Sequence, residues 1–118
     1  ITIGDGYDIV GTLGTTAGGE RFITPTSITP STGAVIKPLA TNTRNLSTDL
    51  MDGLWVKVAG KVQNADTLGG TFEVDDGSGT PVLVKAGNLT VPSNGTFVKV
   101  AGIAGKEGGR IIRAMSIQ

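Results

Sequence analysis

The sequence predicts an all-β fold: a five-stranded barrel preceded by a two-strand N-terminal extension. Three observations lead there. Nineteen of the 118 residues are glycine, threonine and valine are abundant, and strong helix formers are sparse, a composition suited to short strands joined by tight turns. Apolar and polar residues alternate with a period of two in several segments, as half-buried strands require. Finally, Tyr7-Asp-Ile-Val-Gly11 followed by Arg21-Phe-Ile-Thr-Pro-Thr-Ser-Ile28 returns as Val98-Lys-Val-Ala-Gly102 followed by Arg110-Ile-Ile-Arg-Ala-Met-Ser-Ile117, in the same order and at nearly the same spacing. The chain therefore carries two copies of a two-strand unit. Only the second is preceded by sequence able to supply the other strands of a closed barrel.

Taken in order, Ile1 to Gly6 holds an alternating apolar pair and a Gly-Asp-Gly turn signal, and Tyr7 to Leu13 reads as a strand. Gly14 to Gly19 is a polar loop. Arg21 to Thr29 is the next strand, with Phe22, Thr24, Thr26 and Ile28 assigned to one face and Arg21, Ile23 and Ser27 to the other. Pro25 cannot donate to a ladder, so this strand is expected to be an edge or to be bulged there. Pro30 to Asp52 loses the alternation and reads as a connector lying on the following module, anchored by Val35, Ile36 and Leu39. Leu46, Leu50 and Leu54 fall at helical spacing, so Asn45 to Met51 is expected to make one or two helical turns ended by Gly53.

Leu54 to Val62 alternates again, with Leu54, Val56 and Val58 on one face, Trp55, Lys57 and Ala59 on the other, and Gly60 permitting a bend. Thr71 to Asp75 places Phe72 and Val74 inward, and Asp75-Asp-Gly-Ser-Gly79 turns the chain into Val82 to Lys85. Pro92 to Gly95 turns it into Thr96 to Ile103, where Phe97 is taken as core. Lys106 to Gly109 is the last turn and Arg110 to Ile117 the last strand. The expected division is a strand pair over 1–29, a connector over 30–52 and a barrel over 53–118.

A long first strand bent at a glycine, a meander through Asp-Asp-Gly-Ser-Gly, and a final hairpin carrying Val-Lys-Val-Ala-Gly together resemble the bacterial OB-fold. The likeness covers residues 53–118, while residues 6–29 resemble the last two strands of a preceding OB module, so the whole is similar to the tandem OB-fold proteins of bacteria. The pentapeptide Val-Lys-Val-Ala-Gly stands at Val56 to Gly60 and again at Val98 to Gly102; the resemblance implies that these two segments pair. It also implies a plug for the barrel bottom. OB-folds commonly use a helix between the third and fourth strands, but Ala86 to Gly95 is too rich in Gly, Pro, Asn and Ser, which leaves Leu89 and Val91, or the connector's Asn45 to Met51, for that role.

Composition excludes much chemistry. Ten Lys plus Arg balance ten Asp plus Glu, so no net field draws the chain to nucleic-acid phosphates or anionic membranes. The absence of cysteine and histidine removes thiol nucleophiles, disulfides, thiolate metal sites and the commonest general base. No Ser-x-x-Lys spacing offers a lysine-activated serine, and the expectation is a protein that is not an enzyme and takes no cofactor. No run of about 18 apolar residues is present. Asp75, Asp76 and Ser78 carry oxygen donors for calcium, but a tight turn needs the same residues and the spacing matches no EF-hand; no metal is expected. Gly11-Thr-Leu-Gly14 and Gly102-Ile-Ala-Gly105 lack the helix and the Gly-Lys-Ser/Thr of a phosphate loop and read as strand bends. Asn45, Asn88 and Asn94 fit the glycosylation triplet, which marks exposed loops in a chain this rich in Ser and Thr.

Two functional classes follow. The N-terminal copy brings Ile1, Ile3, Tyr7, Ile9, Val10, Phe22, Ile23 and Ile28, and an isolated hairpin is marginal in water, so these residues are the candidate assembly interface. On this reading the chain is a non-enzymatic structural subunit, a homopolymer former joining copies head-to-tail by strand addition into an extracellular or cell-surface filament. A start at Ile1 suits a mature product of secretion or a fragment of a longer polypeptide. The alternative is an OB-fold binding module for single-stranded nucleic acid or carbohydrate within a larger multidomain protein. Trp55, Lys57, Phe72 and Lys85 are its candidate ligand residues.

Overall fold

A computed structural model describes residues 1–2, 5–33 and 36–118. Among the described residues eight strands form: β1 (Gly6–Thr15), β2 (Arg21–Ser31), β3 (Leu39–Ala40), β4 (Trp55–Asp66), β5 (Thr71–Asp75), β6 (Val82–Lys85), β7 (Phe97–Lys106) and β8 (Arg110–Ile117). They divide into two compact units, Ile1–Lys37 and Pro38–Gln118. The fold is all-β, as the glycine and β-branched content implies. Among the described residues no helix is long and apolar enough to cross a membrane.

The second unit is a closed five-stranded mixed barrel. Its order is β4-β5-β6-β8-β7, and β7 pairs back onto β4. All neighbours are antiparallel except β6 and β8, which run parallel through Leu83↔Ile111 to Lys85↔Arg113. This arrangement is compatible with an OB-like barrel. One long strand serves both sides of the closure: Trp55 to Lys61 of β4 pairs with β7, and Lys61 to Asp66 pairs with β5. The bend between the two halves depends on Gly60, where an added Cβ would sit 2.5 Å from the Asp75 carbonyl oxygen. The two Val-Lys-Val-Ala-Gly segments pair with each other, Val56↔Gly102 through Gly60↔Val98, with Val58 opposite Val100.

Alternation along these strands sends Val56, Val58, Val62, Phe72, Val74, Val82, Val84, Val98, Val100, Ala104 and Ile112 into one core. Two expected positions differ. Phe97 is 70% exposed, because Val98 and Val100 take the inward parity and leave Phe97 on the side of Lys99. Leu54 is also exposed, since β4 begins one residue later. The connector makes two short helical turns over the expected span, Asn45–Ser47 and Asp49–Met51, both of 3-10 type and separated by extended Thr48. Only the first turn contributes a core leucine: Leu46 is buried in the barrel core, whereas Leu50 is exposed. Leu46 thus joins the connector to the barrel core, with Met51 of the second turn packed beside it. Val91 packs beside this core, Leu89 is exposed, and Ala86 to Thr96 has no helix.

The connector is fixed to the barrel by hydrogen bonds as well as by Leu46. β3 adds to β4 in parallel at Leu39↔Val56 and Ala40↔Lys57. Buried Thr43 donates from its backbone N–H to Asp76 Oδ2 at 2.7 Å and from its hydroxyl to Asp76 Oδ1 at 2.8 Å. The Ser78 N–H donates to Asp76 Oδ1 at 2.9 Å, and Arg44 N–H donates to Ser78 Oγ at 3.2 Å. Burial alone would raise the Asp76 pKa. The hydrogen bonds from the side chains and backbones of Ser78 and Thr43 outweigh it and hold this carboxyl well below the usual carboxylate range. Both oxygens of Asp76 are therefore occupied by protein donors, and Asp75 Oδ1 accepts from Gly77 N–H at 2.9 Å as a turn-forming carboxylate does.

Candidate assembly site

Residues of the first unit form a two-stranded antiparallel sheet, β1 with β2. The register runs from Gly6↔Ser31 to Thr15↔Arg21, with one irregularity: Val10 pairs Ser27 and Gly11 pairs Pro25. Thr26 is thus an extra residue in β2, a β-bulge located beside Pro25. Its hydroxyl donates to the Val10 carbonyl at 3.1 Å, tying the bulged residue back to the opposite strand.

The bulge changes which residues share a face. Simple alternation groups Ile28 with Phe22, but one inserted residue inverts the parity beyond it. Cross-strand partners share a face, so Tyr7, Ile9, Gly11 and Leu13 of β1 lie with Ile23, Pro25, Ile28 and Pro30 of β2. This face is apolar along most of its length. The opposite face carries Asp8, Thr12, Ser27, Thr24 and Thr29, together with Val10 and Phe22. Of the sequence-derived interface residues, the structure brings Tyr7, Ile9, Ile23 and Ile28 together and puts Val10 and Phe22 on the other side. Ile1 lies outside the strand and is exposed; Ile3, like the connector's Val35, lies outside the described residues.

The hairpin reproduces the barrel's closing pair in detail. In β7 and β8, Ala101 pairs Ser116 and Gly102 pairs Ala114, so Met115 is the extra residue at the place that Thr26 occupies in β2. Val100↔Ile117 corresponds to Ile9↔Ile28, Ala104↔Ile112 to Leu13↔Ile23, and Lys106↔Arg110 to Thr15↔Arg21. The glycines before the bulges are equally constrained. A Cβ on Gly102 would meet the Arg113 carbonyl oxygen at 2.2 Å and Ile112 Cγ2 at 2.8 Å; one on Gly11 would meet the Thr24 carbonyl oxygen at 2.2 Å and Ile23 Cγ2 at 2.8 Å. The sequence repeat is therefore a structural repeat, bulge and glycine included.

The environments of the two copies differ sharply. In the barrel, Val98, Val100, Ala104 and Ile112 are buried under β4, β5 and β6. At the corresponding hairpin positions Ile9 is 48% exposed, Leu13 72% and Ile23 50%. Leu13 was missed as an interface residue because it stands at the end of the alternating run; the repeat itself, which sets Leu13 over Ala104, carries the signal. Tyr7 is half-buried, and its hydroxyl accepts from Thr2 N–H at 3.0 Å.

The alternative ligand residues do not form one platform. Phe72 is fully buried in the barrel core and offers no ring for stacking. Lys57 is exposed on β4. Lys85 on β6 is ion-paired with Glu107, which Arg113 also contacts at 2.8 Å; hydrogen bonds from Lys85 and then Arg113 hold the Glu107 pKa below its ordinary value. Trp55 is half-buried, with a buried indole N–H that lacks a hydrogen-bond partner. Against protein-family models and against curated sequences, no match to the chain is found.

Proposed function

We propose that the chain is a non-enzymatic structural subunit that assembles by β-strand addition at its N-terminal hairpin, building a linear extracellular array of barrels. In this reading β1 and β2 are the closing pair of a second OB-like module, as in tandem OB-fold proteins of bacteria. One observation carries it: a hairpin with the register, bulge and glycine of β7–β8 leaves open the face that β7–β8 buries. A two-stranded ribbon cannot cover its own face, and unpaired strand edges template further pairing. The barrel is closed through β4 and β7, so the long edges available for growth are those of the hairpin. Balanced charge keeps repulsion between neighbours low.

Negative-stain electron microscopy of concentrated protein tests this proposal. The intact chain is expected to form linear arrays with copies of itself as partners, and a chain lacking residues 1–37 is expected to remain as single barrels. Single particles from both chains at every concentration would refute it.

A further inference from the structure

The two free edges of the hairpin are chemically unequal, and the inequality selects the joint between copies. We infer that copies join β1 to β1, antiparallel and centred on Gly11 across a two-fold axis, while β2 stays at the outside of the merged sheet; this inference rests on the strand-addition reading.

Backbone parity sets the two edges. In the barrel, Lys99 and Gln118 exchange both amide bonds, at 2.7 and 3.0 Å, whereas the Ala104 N–H points the other way and donates to the Leu54 carbonyl at 3.0 Å. Asp8 and Thr29 hold the places of Lys99 and Gln118, and Leu13 that of Ala104. Tyr7, Ile9, Gly11, Leu13 and Thr15 therefore present their N–H and C=O groups to the free edge of β1. On β2 the outward positions are Arg21, Ile23, Pro25, Ile28 and Pro30, and the two prolines have no N–H to offer. The bulge at Thr26 further breaks the spacing between Pro25 and Ile28. Among the described residues β1 pairs with β2 alone, so β1 keeps an unbroken row of donors and β2 a gapped one.

An antiparallel neighbour is what β4 gives β7 in the barrel, through Val56↔Gly102 and Val58↔Val100. The β1 of a second copy meets the same requirement for β1. Gly11 is the middle one of the outward residues, so a register centred there pairs every outward amide: Gly11 with Gly11, Ile9 with Leu13 of the second copy, and Tyr7 with Thr15. Any other register leaves some of them unpaired. Ile9 and Leu13 then meet across the joint on the apolar face, and the glycines leave the axis free of side chains. Asp8, the charged residue of β1, falls opposite Gly14 of the second copy, so no like charges meet. The merged sheet, ordered β2-β1-β1-β2, ends on both sides in a proline-bearing strand, a device that blunts sheet edges. Its apolar face is continuous across the joint and is the surface left for further copies of the array.

Disulfide trapping tests the joint, and the chain has no cysteine of its own. With Gly11 on the axis, Val10 stands opposite Thr12 of the second copy at a non-hydrogen-bonded pair, where Cα atoms lie about 4.5 Å apart and a disulfide closes without strain. Two copies of Val10, or two of Thr12, are diagonal neighbours at roughly 7–8 Å and bridge poorly. An oxidised mixture of Val10→Cys and Thr12→Cys chains is therefore expected to give roughly tenfold more cross-linked dimer on a non-reducing gel than either chain alone. Carried into both chains, Ile9→Pro, which removes an outward amide of β1, should abolish the mixed dimer. Ile9→Ala, which keeps that amide, and Ile23→Pro, which removes one from β2, should retain it. No excess of mixed dimer, or equal loss with Ile9→Pro and Ile23→Pro, would overturn β1 as the joint. Sedimentation velocity of the unmodified chain separates the two readings: a mass that rises with concentration without mixed dimer rejects this inference and keeps strand addition, and a constant mass of 12.0 kDa rejects both.

Discussion

Truncating Leu46 tests whether the connector belongs to the barrel core. The side chain is 3% exposed and sits among Val56, Phe72 and the other inward residues, while Leu50, four residues on, is 83% exposed. Leu46→Ala removes buried methyl and methylene groups and leaves a cavity in a core that β-strands hold from all sides, a change that costs about 3 kcal/mol, within the usual range of 2–5. For a unit the size of Pro38–Gln118, that loss lowers Tm by roughly 12–24 °C. Leu50→Ala, by contrast, should shift stability by less than about 0.5 kcal/mol. Thermal denaturation followed by Trp55 fluorescence and far-ultraviolet circular dichroism reads both variants. Equal, small shifts for the two leucines would refute the assignment of Leu46 to the barrel core.

Further predictions follow from single contacts. Asp76→Ala strips Thr43 and Ser78 of a charged acceptor and should cost about 2 kcal/mol at neutral pH, measured by urea unfolding. Because the folded-state pKa of Asp76 is depressed, its contribution is present above the unfolded value near 3.9 and is lost as pH falls below about 4; Asp76→Asn should flatten the acid limb of the stability curve, and an unchanged limb would contradict the latch. Gly102→Ala, whose Cβ meets a backbone oxygen at 2.2 Å, should destabilise the barrel by about 1–3 kcal/mol or more, while Gly109→Ala, with no atom within 4 Å, should be nearly neutral. Lys85→Ala breaks an exposed ion pair with Glu107 and should change stability by less than about 1 kcal/mol, a larger effect indicating a structural role beyond the pair.

The strands of the barrel were legible because alternation is a local property. Val56, Val58, Phe72 and Val74 point inward as their period requires, and the duplicated pentapeptide anticipated the β4–β7 ladder. The side of Phe97 was also available, since Lys99 marks the outward parity. Pro25 marked the bulge of β2, but local pattern carried neither the change of face that follows an insertion nor the long-range bonds. The bulge residues Thr26 and Met115 leave no mark in polarity, yet each inverts the faces beyond it, which is why Ile28 was grouped with Phe22. Counting at helical spacing equated Leu46 with Leu50, and extended Thr48 separates them. The Thr43–Asp76 latch joins residues 33 apart and could not be found from neighbours. At the candidate assembly site, the repeat contained more than the apolar residues did: aligning Leu13 with Ala104 identifies a covered position that hydropathy alone passed over.

Sedimentation velocity of the intact chain beside Leu13→Asp reads most directly whether the hairpin's apolar face drives assembly. The weight-average mass of the intact protein should climb above 12.0 kDa with concentration, while Leu13→Asp, which sets a charge on that face at a position outside the barrel unit, should stay near the single-chain value. Identical curves for the two proteins would contradict the account.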